Sequence, residues 1–322
     1  MVKELSSDQE DFGLNEAIQE ISEVPGRSSL IPPVPSGVNQ CWMDMDGARL
    51  RYLRAGSGPP VVLLHGLLGY SFSWRYTIPA LAPYATVYAP DMLGSGFSDR
   101  PPGLDCRMRA VAERLLRFVE KLGLSRFDLV GTSHGGAVAM MAAAQSLDST
   151  AVGAPKMGKL VLVAPVNPYS EHGRWLAPFL GGGLGSALFR FTASRATFLY
   201  GYALRRLYAD PRRIPPGTLR GYMAPLAIPG LFNYGFSVVR TWTEDMRELE
   251  ALLPTLAKVS TLMIWGRDDA AVYATSGRAL ARHLRNSQLK VLPGVGHLPY
   301  EECPGDFNRL LIEFLTGISP VG

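Results

Sequence analysis

The string GTSHGG at residues 131–136 sits between the apolar, β-branched run RFDLV at 126–130 and the helix-forming run AVAMMAAA at 137–144. A strand that turns at once into a helix brings two backbones into close approach. Only small residues fit beside such a turn, and Gly131, Gly135 and Gly136 supply that room. The central residue, Ser133, is then held in strained backbone with its side chain presented outward, which is the geometry of a G-x-S-x-G nucleophile elbow. A chain built around this junction needs a buried strand and a helix packed on it.

Alone, the pattern also fits a glycine-rich turn without chemistry. Two later segments favour chemistry. Asp268 and Asp269 follow the strand-like run TLMIW at 261–265, and His297 follows another, QLKVL at 288–292. Serine, aspartate and histidine thus occur in that order, each at the carboxyl end of a strand-like run. A serine hydroxyl is a weak nucleophile at neutral pH and needs an adjacent base, for which imidazole titrates in the right range. The expected roles are Ser133 as nucleophile, His297 as base and Asp269 as the carboxylate that orients His297, with Asp268 as the fallback. The aspartate left over is a solvated or loop-capping residue.

Acyl transfer also needs hydrogen-bond donors for a developing oxyanion. The backbone N–H of His134 is one candidate, and that of Leu67, in the loop HGLLG at 65–69 after the strand-like VVLL at 61–64, is the other. The His65 ring is read as holding its loop, the His134 ring as pocket wall, and His283 as an ordinary helix residue.

Strand and helix patterns alternate from about residue 61 to 144. The strand runs are short and continuously apolar, which marks a parallel sheet buried on both faces. A hairpin around Asp46-Gly47 precedes them. The alternation stops over 167–243, a stretch rich in Gly, Pro, aromatic residues and arginine, and resumes near 261. The expected fold class is therefore α/β: a mostly parallel central sheet flanked by helices, with an inserted helical cap. The expected division is an N-terminal extension at 1–38 (partly helical at 14–22, then Pro-rich), a core at 39–166 and 244–322, and a cap at 167–243. Cap residues such as Phe179, Phe189, Tyr202, Tyr222 and Trp242 offer apolar wall, so the pocket is expected to be mainly apolar, with its polarity at the triad. The cap arginines, opposed only by Glu171 and Asp210, are read as a solvated basic face, with weak contact to a membrane surface as the sharper alternative.

Composition narrows the classes. Hydrophobic content of 47% and charged content of 19% over 322 residues are those of a globular chain. No apolar run reaches the ~18–20 residues of a membrane span. The net charge of +4 gives no reason to invoke nucleic acid. Cys41, Cys106 and Cys303 form no disulfide framework or metal spacing, so neither metal nor organic cofactor is expected. With no basic start and apolar core at the N-terminus, a cytoplasmic protein is expected. Oligomeric state is not set by these features.

These residues resemble the α/β-hydrolase superfamily, specifically its capped serine esterase/lipase-like members, from about Met43 to Thr316. Besides the elbow, HG at 65–66 with SWR at 73–75, DMLGSGFSD at 91–99 and GHLPYEECP at 296–304 are similar to family segments. The 28 residues from Asp269 to His297 match the family spacing and favour Asp269 over Asp268. Members that open epoxides or remove halides carry aspartate at the elbow, where this chain has Ser133. The resemblance implies a carboxylic-ester hydrolase acting through an acyl-serine on a small-molecule ester with apolar acyl or aromatic parts. Acyl transfer, perhydrolysis and carbon–carbon bond hydrolysis use the same triad, and a non-catalytic ligand-binding protein would have lost a triad member.

Overall fold

The computed structural model describes residues 30–170 and 196–319. Within them the chain forms one eight-stranded sheet from β1 (Val38–Asp44), β2 (Arg49–Ala55), β3 (Pro60–Leu64), β4 (Thr86–Pro90), β5 (Arg126–Thr132), β6 (Lys156–Val163), β7 (Thr261–Gly266) and β8 (Ser287–Leu292). The strand order is β1-β2-β4-β3-β5-β6-β7-β8. The β1–β2 and β2–β4 pairs are antiparallel, and from β4 to β8 the sheet is parallel. The sheet is thus mostly parallel, as its apolar strands imply. β1 and β2 are joined through Asp46 and Gly47, both at positive φ, with Met45 and Ala48 bonded in both directions across the turn. That is the tight hairpin expected of an Asp-Gly pair.

Alternation within strands feeds two cores. Val62 and Leu64 of β3 join Leu129, Leu160, Leu162, Met263 and Trp265 on one face. Val61 and Leu63 join Val130, Val161, Val163, Leu262 and Ile264 on the other. The first face is covered by α2 (Met108–Lys121), α3 (His134–Asp148), the long α6 (Leu231–Leu256) and α7 (Ala274–Ala281). In α2 the buried set Met108, Val111, Ala112, Leu115, Phe118 and Val119 follows helical spacing. Helix α3 is buried almost all round, because it lies against β5 and β6 with α2 and α6 outside it. The second face is covered by α1 (Thr77–Leu81) and α9 (Pro304–Thr316), with Trp74, Phe307 and Leu311 at its centre.

Between β6 and β7 lie α4 (Ala196–Leu207), α5 (Thr218–Met223) and α6. The helical insertion expected after one core strand is therefore present in part. Helix α6 continues without a break across the 243/244 boundary expected between cap and core. One apolar stripe, from Leu231 and Tyr234 through Val238 to Leu249 and Leu256, holds it together. After β3 come a 3-10 turn at Ser71–Trp74 and the short α1, in keeping with the alternation of strand and helix patterns. The expected extension helix at 14–22, and Glu171, His172, Arg174, Phe179, Phe189, Arg190 and Arg195, lie outside the described residues. Arg205, Arg206, Arg212, Arg213, Arg220 and Arg240 are all exposed, in keeping with a solvated face. Among the described residues no helix is long and apolar enough to cross a membrane.

One buried ion pair organises the loops around the strand ends. Arg51 of β2 and Asp91, just after β4, meet at 3.0 Å with side-chain exposures of 2% and 0%. Asp91 also accepts the backbone N–H groups of Ser71 and Phe97, and Arg51 donates to Ser71 and Gln40. Removing one member strands a buried charge, at about 3–5 kcal/mol. Asp91→Ala is therefore expected to lower unfolding free energy by about that amount in urea titration. A loss below about 1 kcal/mol would refute the role given to this pair.

Candidate active site

The carboxyl ends of the parallel strands converge on one cavity of about 270 Å³, lined by Ser133, His297, Leu67, Leu68 and Ala271 among others. This is where ligands bind in open α/β sheets.

Ser133 stands between β5 and α3 with φ +53° and ψ −122°. Few non-glycine residues tolerate such backbone, which costs of order 1–3 kcal/mol. The surrounding structure holds it there. Ser133 donates its N–H to Val163 of β6, and its carbonyl accepts from Gly136, Ala137 and Val166. The glycines are a steric requirement: a Cβ on Gly135 would stand 2.2 Å from the His65 carbonyl oxygen, and one on Gly131 would stand 2.4 Å from that of Gly135. The elbow expected from GTSHGG is therefore present as backbone.

His297 lies between β8 and the short helix α8 (Pro299–Glu302). Its Nδ1 is 2.7 Å from Asp269 Oδ2, and both side chains are buried. Asp269 follows β7, and its other oxygen accepts the N–H groups of Ala271 and Val272 at 2.8 and 2.9 Å. The carboxylate is fixed from both sides and accepts from Nδ1–H, which selects the tautomer whose Nε2 is the acceptor nitrogen. Asp268 is exposed, and its N–H is bonded to Val295. The structure thus brings Asp269, and not Asp268, to His297.

The oxyanion-loop candidate Leu67 lines the cavity within a turn closed by the Gly69 N–H to the Gly66 carbonyl at 3.0 Å. Ser95 Oγ donates to the Gly69 carbonyl and holds the turn from outside. His134 is the first residue of α3, where helical geometry leaves backbone N–H groups without intrahelical acceptors. The His134 ring departs from expectation, because His134 is not among the described lining residues of the cavity. It is buried with Nε2 unpartnered, and burial, with His65 adding, pushes its pKa down to about 4. That ring is neutral at physiological pH.

His65 acts as a loop brace. Its Nε2 accepts the Met92 N–H at 3.0 Å, so the ring proton sits on Nδ1 and is donated to the Gly66 carbonyl at 2.8 Å. Burial lowers its pKa further. His283 stacks on Tyr169, away from the cavity.

Sequence reading misses a polar cluster behind the cavity. Glu301 of α8 is buried and accepts two bonds from Arg75, at 2.7 and 2.9 Å. It also accepts the hydroxyls of Tyr208 and of Tyr222 in α5. Arg75 donates to Thr218 as well. Burial and the adjacent carboxylate raise both tyrosine pKa values, so these hydroxyls stay protonated. The insertion is clamped to the core here, and again where His297 N–H bonds the Leu207 carbonyl at 2.7 Å. No spacing signal links Arg75 to Glu301, because 226 residues separate them.

A sequence profile described as the alpha/beta hydrolase fold matches residues 59–304. The chain is similar to haloalkane dehalogenase 2 of Mycobacterium tuberculosis, at 29% identity over 285 residues, covering 84% of this chain and 93% of that one. It is similar to the 2-hydroxy-6-oxo-2,4-heptadienoate hydrolase of Pseudomonas putida, at 27% identity over 271 residues and 81% and 90% coverage. Among solved structures, a mutant of the meta-cleavage product hydrolase CumD has TM-score 0.68 at 26% identity, covering 86% of this chain and 98% of that one. The epoxide hydrolase CorEH has TM-score 0.75 at 22% identity, covering 87% and 99%, a likeness of fold. With a profile match over more than two-thirds of its length and the fold described above, the chain belongs to the alpha/beta hydrolase family.

Proposed function

We propose that this chain is a serine hydrolase that cleaves uncharged carboxylic esters through an acyl-Ser133 intermediate. The observation that carries the reading is one cavity shared by Ser133, on its strained elbow, and His297, whose Nδ1 is held by Asp269. In the proposed cycle His297 Nε2 takes the Ser133 proton as Oγ attacks the ester carbonyl. The Leu67 and His134 N–H groups receive the oxyanion. His297 then gives its proton to the departing alcohol, and water repeats the sequence on the acyl-enzyme. All of this uses this chain's own groups and leaves no step for a metal or organic cofactor. Among the described residues no cluster of metal-ligating side chains occurs.

The relatives' named reactions transfer unequally. Dehalogenation by a serine would leave an alkyl ether on Ser133, which this site has no means to hydrolyse. Carbon–carbon bond hydrolysis is compatible with a serine triad and is the second reading, favoured by the similarity to the heptadienoate hydrolase. A dienoate is an anion and calls for a cationic partner. The described lining residues include no lysine or arginine, and the nearby Arg75 is committed to Glu301. The described wall of Leu67, Leu68, Leu204, Leu207 and Leu298 is apolar and favours a neutral ester.

Ser133→Ala is expected to abolish ester turnover in a folded protein, and retention of more than a few per cent would remove Ser133 from its role. Asp269→Asn is expected to lower kcat on the order of 10⁴-fold, the loss known for the equivalent change in a serine protease, while exposed Asp268→Asn changes it little. Steady-state rates giving the reverse ranking would transfer the role to Asp268. A neutral aryl ester should exceed the same ester bearing a carboxylate by about tenfold or more in kcat/KM, since a buried charge without a partner is costly. Preference for the anionic ester, or cleavage of a dienoate in place of any ester, would support the second reading.

A further inference from the structure

From the sequence, the polarity of the cavity is expected to be concentrated at the triad. A second polar spot stands on its wall, where Ser73 and Tyr222 line it and their hydroxyls are hydrogen-bonded at 3.2 Å. Both side chains are buried, at 2% and 5% exposure. A Cβ on Gly69, in the oxyanion loop, would lie 3.4 Å from Ser73 Oγ, so that oxygen sits beside the substrate-facing turn.

An inventory of protons fixes what this spot can offer. The Glu301 carboxylate receives two Arg75 N–H groups, the Tyr208 hydroxyl and the Tyr222 hydroxyl. The Tyr222 proton is therefore committed to a charged acceptor, which outcompetes a neutral one. With the Tyr222 proton so committed, the proton available to the Ser73–Tyr222 contact is that of Ser73, which the Tyr222 oxygen can accept. The Tyr300 oxygen is a second acceptor for the Ser73 proton. What remains toward the cavity is a Ser73 lone pair. A substrate hydroxyl can donate to it without disturbing anything, whereas an ether or carbonyl oxygen there must break the Ser73–Tyr222 bond or stay unpaired.

We propose that Ser73 is a specificity-determining residue that selects esters carrying a free hydroxyl group on the acyl or alcohol part, accepting that hydroxyl as a donor. The proposal rests on the ester-hydrolase reading and deepens it. The Arg75–Glu301–Tyr222 chain acts through Ser73 by fixing which way its proton points.

The test uses the full chain and matched esters in two arms. In one arm a hydroxyl, or the methoxy group that cannot donate, is moved along a mid-length acyl chain. In the other the alcohol is a simple alkyl or its hydroxyalkyl counterpart. The best hydroxylated ester in one arm is expected to exceed its parent in kcat/KM by about tenfold, and the methoxy analogue to fall below the parent. The arm that responds tells which part of the ester carries the hydroxyl. In Ser73→Ala the hydroxyl-to-parent ratio should fall to about one. In Tyr222→Phe the Ser73 proton loses one of its two acceptors, so the methoxy analogue should gain on the hydroxyl ester. Ratios are taken within each variant, so partial loss of folded protein does not affect them. Turnover with a flat ratio in both wild-type arms, or an unchanged ratio in Ser73→Ala, overturns the selection alone. Absence of turnover on every ester overturns the hydrolase reading and the selection with it.

Discussion

The backbone of Ser133 is the constraint on which the rest depends. A non-glycine residue at φ +53° does not persist unless its neighbours over-determine it. Here the end of β6 does so, through the Val163 carbonyl and the Val166 N–H. For β6 to lie there, β5 must be buried in a parallel sheet, and α3 must press on it closely enough that glycines are obligatory. The sheet order, the Ala-rich helix and the small residues of the elbow are thus one requirement seen at three scales. What it produces is a serine oxygen at the strand ends, where β7 and β8 also deliver Asp269 and His297.

Around this fixed centre the polar groups are arranged so that each has one available state. Two backbone amides and one imidazole nitrogen fix the Asp269 carboxylate, and through it the tautomer of His297. The Met92 amide fixes the tautomer of His65. The Glu301 carboxylate takes four donors from Arg75, Tyr208 and Tyr222, which ties the insertion to the core. In a buried site of low dielectric, a group left unpaired would cost more than any of these bonds contributes, so the networks are complete or nearly so. Thr132 Oγ1, Trp74 Nε1 and His134 Nε2 are buried and unpartnered exceptions among the described residues.

Legibility from sequence tracks how local each feature is. The elbow is visible because strand, turn and helix are contiguous at 126–144, and the hairpin because Asp46-Gly47 adopts positive φ at both positions. The pairing of Asp269 with His297 follows from two strand-end loops and the spacing between them. Helix α6 is misdivided because the change in composition near 243 is more conspicuous than the apolar stripe running through it. The His134 ring is misplaced because its backbone role says nothing about where the side chain packs. The Arg51–Asp91 pair and the Glu301 cluster cannot be read, since their members are 40 and 226 residues apart and only the folded sheet brings them together. DMLGSGFSD is recognisable as a motif, yet its function as a receiver of loop amides at Asp91 emerges only in three dimensions.

In the proposed reaction Ser133 carries the acyl group. Rapid-quench mass spectrometry during turnover of a neutral aryl ester tests it most directly. A burst of alcohol close to one equivalent per enzyme is expected, with the acyl mass found on the peptide that contains Ser133. Multiple turnovers of the ester with the acyl group on another residue, or with no acyl-enzyme under conditions where deacylation is slowed, would contradict it.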